Sequence, residues 1–127
     1  MNPMTTHGAS SWIELNTKDV ADASRFYGEV LGWTVEAMDM GGGMTYHLIK
    51  VGDQSIGGFV PNDAAEASVN GWAIYITVDN VDDTLARAKA QGGQVLQDGF
   101  DVPTVGRIGR LKDPAGNALF VITYEGN

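Results

Sequence analysis

Two hydrophobic periods alternate along the chain, and their order of recurrence sets out its plan. Residues 11–17, SWIELNT, alternate with period two. Ile13 and Leu15 fall on one side and Trp12, Glu14 and Asn16 on the other, which predicts a half-buried strand. From Asp19 the period changes: Val20, Ala23, Phe26, Tyr27, Val30 and Leu31 follow helical spacing, and Phe26 and Tyr27 are expected in the helix–sheet core. Asp22 sits in the first turn, and Gly32 stands where a left-handed cap ends a helix. Strands are predicted at 33–37, 44–51 and 54–60, separated by a glycine turn at 40–43 and a two-residue turn at Gly52-Asp53. Residues 61–71 are polar and alanine-rich and read as a connector. The order then recurs: strand 72–78, helix 81–91 capped by Asp79 or Asn80 and closed by Gly92-Gly93, strand 94–97, loop 99–105, strand 106–112, turn 113–116 and strand 117–124.

The plan is therefore βαβββ, connector, βαβββ: an α+β fold in which module one (about 10–60) and module two (72–124) form one domain. The repeat also shows as identities sixty positions apart, among them Trp12/Trp72, Thr17/Thr77, Asp19/Asp79 and Gly32/Gly92. An offset of sixty-one matches the apolar alternation better, pairing Ile13 with Ile74 and Leu15 with Ile76. A slip of one residue exchanges the two faces of a strand, and burial decides the register, so the second offset is preferred. Each module covers one sheet face with its helix and leaves the other half apolar. Two such faces side by side make a concave sheet lined by Trp12, Glu14 and Asn16, by Ala73, Tyr75 and Thr77, and by Ala118, Phe120, Ile122 and Tyr124. Such a concavity, with aromatics and a few polar groups, is a ligand site by default.

Charge narrows the partners. Eight basic against 16 acidic side chains give a net charge of −8, with no basic run, so neither nucleic acid nor an anionic membrane surface is an expected partner. The absence of cysteine excludes disulfides, thiolate metal sites and a thiol nucleophile. It also fits the cytoplasm, as does an N-terminus without a basic and apolar leader. Glycine is enriched, 17 in 127 residues against a usual share of about 7%, and falls between the periodic segments as turns.

One set of motifs runs in order along residues 10–124: Asp19…Phe26-Tyr27…Leu31-Gly32-Trp33, then Val78-Asp79-Asn80…Ala88…Gly92-Gly93, then Asp113-Pro114-Ala115-Gly116-Asn117. In these the chain resembles the vicinal oxygen chelate superfamily, which includes glyoxalase I, extradiol dioxygenases and the bleomycin and fosfomycin resistance proteins. The resemblance implies a homodimer. It also implies where a metal would sit in the family's metal enzymes. Their His or Gln, carboxylate, His and Glu ligands fall here on Trp12, near Gly57, on Ala73 (or Trp72 in the other register) and on Phe120. None of these side chains is a donor for a divalent cation, so no metal or other cofactor is expected.

The candidates that remain are a ligand set and two titratable groups. Trp12, Trp72, Tyr75 and Phe120 are placed to stack on a planar ligand, with Asn16 and Arg110 as polar contacts. Glu14, desolvated beside Trp12, is a candidate general acid–base, or else a carboxylate at the solvated mouth of the cavity or one paired with Arg107 or Arg110. His47 is a second candidate whose strand has no clear apolar side. The expected function is binding of a small aromatic or apolar molecule without metal; the alternative is a metal-independent lyase, isomerase or cyclase using Glu14, ahead of a metal-dependent glyoxalase or dioxygenase. His7 is expected in a mobile tail.

Overall fold

A computed structural model describes residues 1–62 and 71–126, and the middle of the connector lies outside them. Eight strands and two helices follow in the order β1 (Ser10–Thr17), α1 (Val20–Leu31), β2 (Thr34–Gly41), β3 (Met44–Val51), β4 (Gln54–Pro61), β5 (Gly71–Thr77), α2 (Val81–Ala90), β6 (Gln94–Val102), β7 (Gly106–Lys112) and β8 (Ala118–Tyr124). The chain divides into two compact units, Trp12–Ala73 and Met1–Ser11 with Ile74–Asn127.

In the first unit the strand order is β2-β3-β4-β1, with β1 parallel to β4 and the other pairs antiparallel. Asp19 caps α1, its carboxylate accepting from the Asp22 N–H at 2.9 Å, and Gly32 closes it at φ 75, a left-handed conformation that glycine adopts without strain. The helix covers one sheet face through Val20, Ala23 and Tyr27, which pack with Leu15, Ile49, Phe59, Trp33, Val35 and Ile56. Phe26 departs from the core expectation. It stands edge-on to Tyr27 at 5.1 Å and stays half-exposed, because helical spacing turns it past the line of contact with the sheet.

The second unit repeats the topology, β5-β8-β7-β6, with β5 parallel to β8. Asn80, rather than Asp79, caps α2 by accepting from the Asp83 N–H at 2.9 Å. Val81 and Leu85 of α2 pack with Val78 and Val121, flanked by Ile76, Val95, Leu111 and Leu119. The offset of sixty-one holds in this packing. Leu15 and Ile76 both lie on the helix side, and the buried polar residues Asn16 and Thr77 stand at corresponding positions.

Three boundaries differ from the sequence reading. β6 runs on to Val102, through most of the expected loop, because two register shifts against β7, around Gln97, break the alternation that marks a strand. β2 extends to Gly41. The first residues are also no loose tail. The Gly8 N–H donates to the Thr77 carbonyl at 2.7 Å and the Thr77 N–H to the Ala9 carbonyl at 2.8 Å. The Thr77 hydroxyl donates to the Pro3 carbonyl at 2.6 Å, and His7 Nδ1 accepts from the Asp79 N–H at 2.9 Å.

Candidate functional site

Each sheet has a helix on one face, so the chemistry to be weighed lies on its helix-free face. In the first unit this face is organised around Tyr46, which was not among the expected site residues. The Tyr46 hydroxyl donates to Glu14 Oε2 at 2.8 Å and accepts from the Trp12 indole N–H at 3.0 Å. Tyr46 is on β3 and its two partners are on β1, with β4 between them. Its ring reaches across because the intervening residue is Gly58, which pairs with Glu14 on one side and Leu48 on the other. A Cβ at Gly58 would overlap the phenol end of Tyr46, its hydroxyl oxygen and the adjoining ring carbons. The glycine is thus required by close approach, and a tyrosine with a glycine twelve positions later was the signal available in the sequence. Asn16 shares the alternation of Trp12 and Glu14. It is buried, and its Nδ2 has no hydrogen-bond partner among the described residues, a situation that costs about 1–3 kcal/mol.

His47 is not brought to this group. It pairs with Phe59, and Phe59 and Ile49 are both fully buried on the helix side, so His47 lies on the face opposite Tyr46 and Glu14. Trp72 also departs from its expected place. It packs edge-on to Tyr27 at 5.5 Å and to Trp33 at 6.0 Å, and lies 6.3 Å from Phe59, all on the helix side. The physical reason is the register: Ala73, not Trp72, shares the alternation of Tyr75 and Thr77.

In the second unit the helix-free face carries a row of three side chains on neighbouring strands. Tyr75 pairs with Phe120 and Phe120 with Arg110. The two rings stack at 4.6 Å with 9° between their planes, and the Arg110 guanidinium lies 5.4 Å from the Phe120 centroid. The centroid spacing is close to the distance between adjacent strands, so the rings stand roughly on edge to the sheet. Both faces of Phe120 are then covered, one by Tyr75 and one by Arg110, so Phe120 is not a platform for a stacked ligand. Arg110 Nε is enclosed and without an acceptor among the described residues.

Arg107, three residues earlier, is on the opposite face. It donates to both Asp82 carboxylate oxygens and to Asp101, each at 3.1 Å, and these hydrogen bonds, that to Asp82 foremost, hold its pKa above the ordinary value. Asp82 therefore ties α2 to β7. The Tyr124 hydroxyl is 2.7 Å from Ser11 Oγ, and its pKa is pushed up by burial, partly offset by that hydrogen bond.

The positions that hold metal in the family's metal enzymes can be tested against these contacts. The Trp12 N–H is a donor already given to Tyr46, the helix-free position on β4 is a glycine, and Phe120 is enclosed between Tyr75 and Arg110. Among the described residues no three His, Asp or Glu side chains converge as a metal site. The donor set does not fit a divalent cation. No described helix is long and apolar enough to cross a membrane.

Two βαβββ units of matching topology, each with a helix on one sheet face, define an α+β fold of paired modules. The profile of the Glyoxalase/Bleomycin resistance protein/Dioxygenase superfamily matches residues 9–121, and the chain belongs to that superfamily. A putative glyoxylase of Mycobacterium tuberculosis, CFP32, is 38% identical over 115 residues, which are 91% of this chain and 43% of that protein. The anthracycline biosynthesis protein DnrV of Streptomyces peucetius is 26% identical, over 90% of this chain and 46% of its own length. The chain thus spans about half the length of these curated relatives. Methylmalonyl-CoA epimerase from Mycobacterium tuberculosis shares the fold with a TM-score of 0.61, at 18% identity, covering 91% of this chain and 86% of that one.

Proposed function

We propose that the protein binds a small organic molecule on the helix-free face of its sheets without a metal ion. The observation that carries this reading is the Tyr75–Phe120–Arg110 row. Where a metal enzyme of the family places a carboxylate, this chain has an aromatic ring sandwiched between a second ring and a cation. The likeness to proteins named as glyoxylase and as an anthracycline biosynthesis protein supports a small-molecule role. The test is a ligand screen by thermal shift, with hits titrated against Phe120→Ala and Trp12→Ala. Hits should lose at least tenfold in affinity in one or both variants. Unchanged affinity for every hit would place the binding site elsewhere.

A second reading is favoured by the Tyr46 hydrogen bond to Glu14. A carboxylate oriented by a phenol and framed by an indole is equipped to take and return a proton, as in a metal-independent lyase, isomerase or cyclase. If that chemistry operates, Glu14→Gln abolishes turnover and leaves ligand affinity within a few-fold. A Glu14→Gln protein with full turnover would remove Glu14 from the mechanism.

A further inference from the structure

Given the ligand-binding reading above, Arg110 bears on the charge of the ligand. The protein has twice as many acidic as basic side chains, so an arginine has no shortage of carboxylates to pair with. Arg25 is paired with Asp22 at 3.0 Å, and Arg107 with Asp82 and Asp101. Arg110, like Arg87 on α2, forms no ion pair among the described residues, but only Arg110 is packed against an aromatic ring. Its guanidinium is drawn instead against the Phe120 ring, with Nε enclosed and meeting no acceptor. A guanidinium laid against a ring, with Nε enclosed and the residue otherwise part-exposed, keeps its full charge and its forked donor geometry, and a carboxylate is the group that matches both. The neighbouring rings act in the same sense. Tyr75 and Phe120 stand on edge, and the rim of an aromatic ring is the positive part of its quadrupole. Both rings are buried, so their rims add to the positive field around the guanidinium from beneath rather than forming an open surface.

We infer that Arg110 is an anion subsite, and that the small molecule bound by this protein carries a carboxylate next to its apolar or aromatic part. Arg110 would hold the carboxylate through its two Nη groups, with the apolar part beside the small exposed margin of the otherwise buried Tyr75 and Phe120 rings. The charge on β7 is divided by face: Arg107 is structural, and Arg110 serves the ligand.

The experiment titrates the protein with benzoate and with its neutral counterpart benzamide, at low and at high salt, by calorimetry or by chemical-shift changes. Benzoate is expected to bind at least tenfold more tightly than benzamide and to weaken as salt rises. Arg110→Gln is expected to remove that preference, Arg110→Lys to keep part of it, and Arg87→Gln, an equal loss of charge on α2, to leave it unchanged. The comparison of benzoate with benzamide on the unaltered protein stands even if an Arg110 variant fails to fold. Equal binding of the two probes, both weakened by Phe120→Ala and neither by Arg110→Gln, would overturn the anion subsite and leave the small-molecule reading intact. No binding of either probe would overturn the subsite, and the ligand screen would then decide the reading beneath it.

Discussion

Gly58→Ala tests the site at the point where its geometry is tightest. The new methyl would occupy the space of the Tyr46 ring, so one of two things follows. Either the ring stays and the strand distorts, an overpacking cost of about 1–3 kcal/mol. Or the ring swings away and surrenders two hydrogen bonds. The one to the Glu14 carboxylate is charge-assisted, worth about 1.5–3 kcal/mol, and the one from Trp12 is worth about 1 kcal/mol. Trp12, Glu14 and Tyr46 are all part-exposed, so water restores some of that loss. Both routes lead to about 2 kcal/mol, or roughly 6–10 °C in Tm for a domain of this size. Urea unfolding followed by tryptophan fluorescence measures it, and Trp12 adds a local signal. The decisive comparison is a double-mutant cycle. With Tyr46→Ala the obstruction is gone, and Gly58→Ala should then cost less than about 0.5 kcal/mol, a coupling of about 1.5 kcal/mol. An equal cost in both backgrounds would show that Tyr46 does not cross over Gly58.

Three further outcomes are expected. Phe59, fully buried between β3 and β1 on the helix side, should cost about 3–5 kcal/mol when cut to alanine, read from the urea midpoint, and a loss below 1 kcal/mol would refute its place in the core. Asp113 accepts hydrogen bonds from the Asn117 and Ala115 N–H groups, which hold its carboxyl below 3.8, the Asn117 backbone bond contributing most. Its folded pKa lies below its unfolded one, so its stabilisation is present above about pH 4 and is lost as pH falls through the folded value. Asp113→Asn should therefore flatten the acid limb of a stability–pH curve, and an unaltered limb would contradict the turn geometry. Adding nickel, zinc, manganese or iron to metal-stripped protein should give no thermal stabilisation, whereas near-stoichiometric uptake with a shift of several degrees would return metal chemistry to this protein.

Much of the architecture was legible in one dimension. The alternation of Ile13 and Leu15 against Trp12, Glu14 and Asn16, the helical spacing from Val20 to Leu31 and the second occurrence of the same order predict paired βαβββ modules. They also assign faces: Glu14 and Phe120 lie away from the helices, as the preferred offset requires. This works because a strand's faces follow from its own period, whatever its neighbours are. The donors missing at the family's metal positions are equally a property of the sequence.

What required the tertiary structure is every relation between strands. Nothing in 44–51 alone showed which of Tyr46 and His47 would share a face with Glu14. That was decided by the pairing of His47 with Phe59 and by the gap left at Gly58. Trp72, placed with the ligand residues because it falls at a family ligand position in the offset-sixty register, is turned into the helix-side cluster by the register of β5. The extension of β6 through two register shifts and the tie between the first nine residues and Thr77 are likewise set by a partner strand. Arg107 and Arg110 look alike in the sequence, and only the pairing of β7 separates a structural ion pair from a cation on the helix-free face. Hydrophobic period is a local quantity that the chain carries with it, whereas register, close approach and charge pairing exist only once distant segments have met.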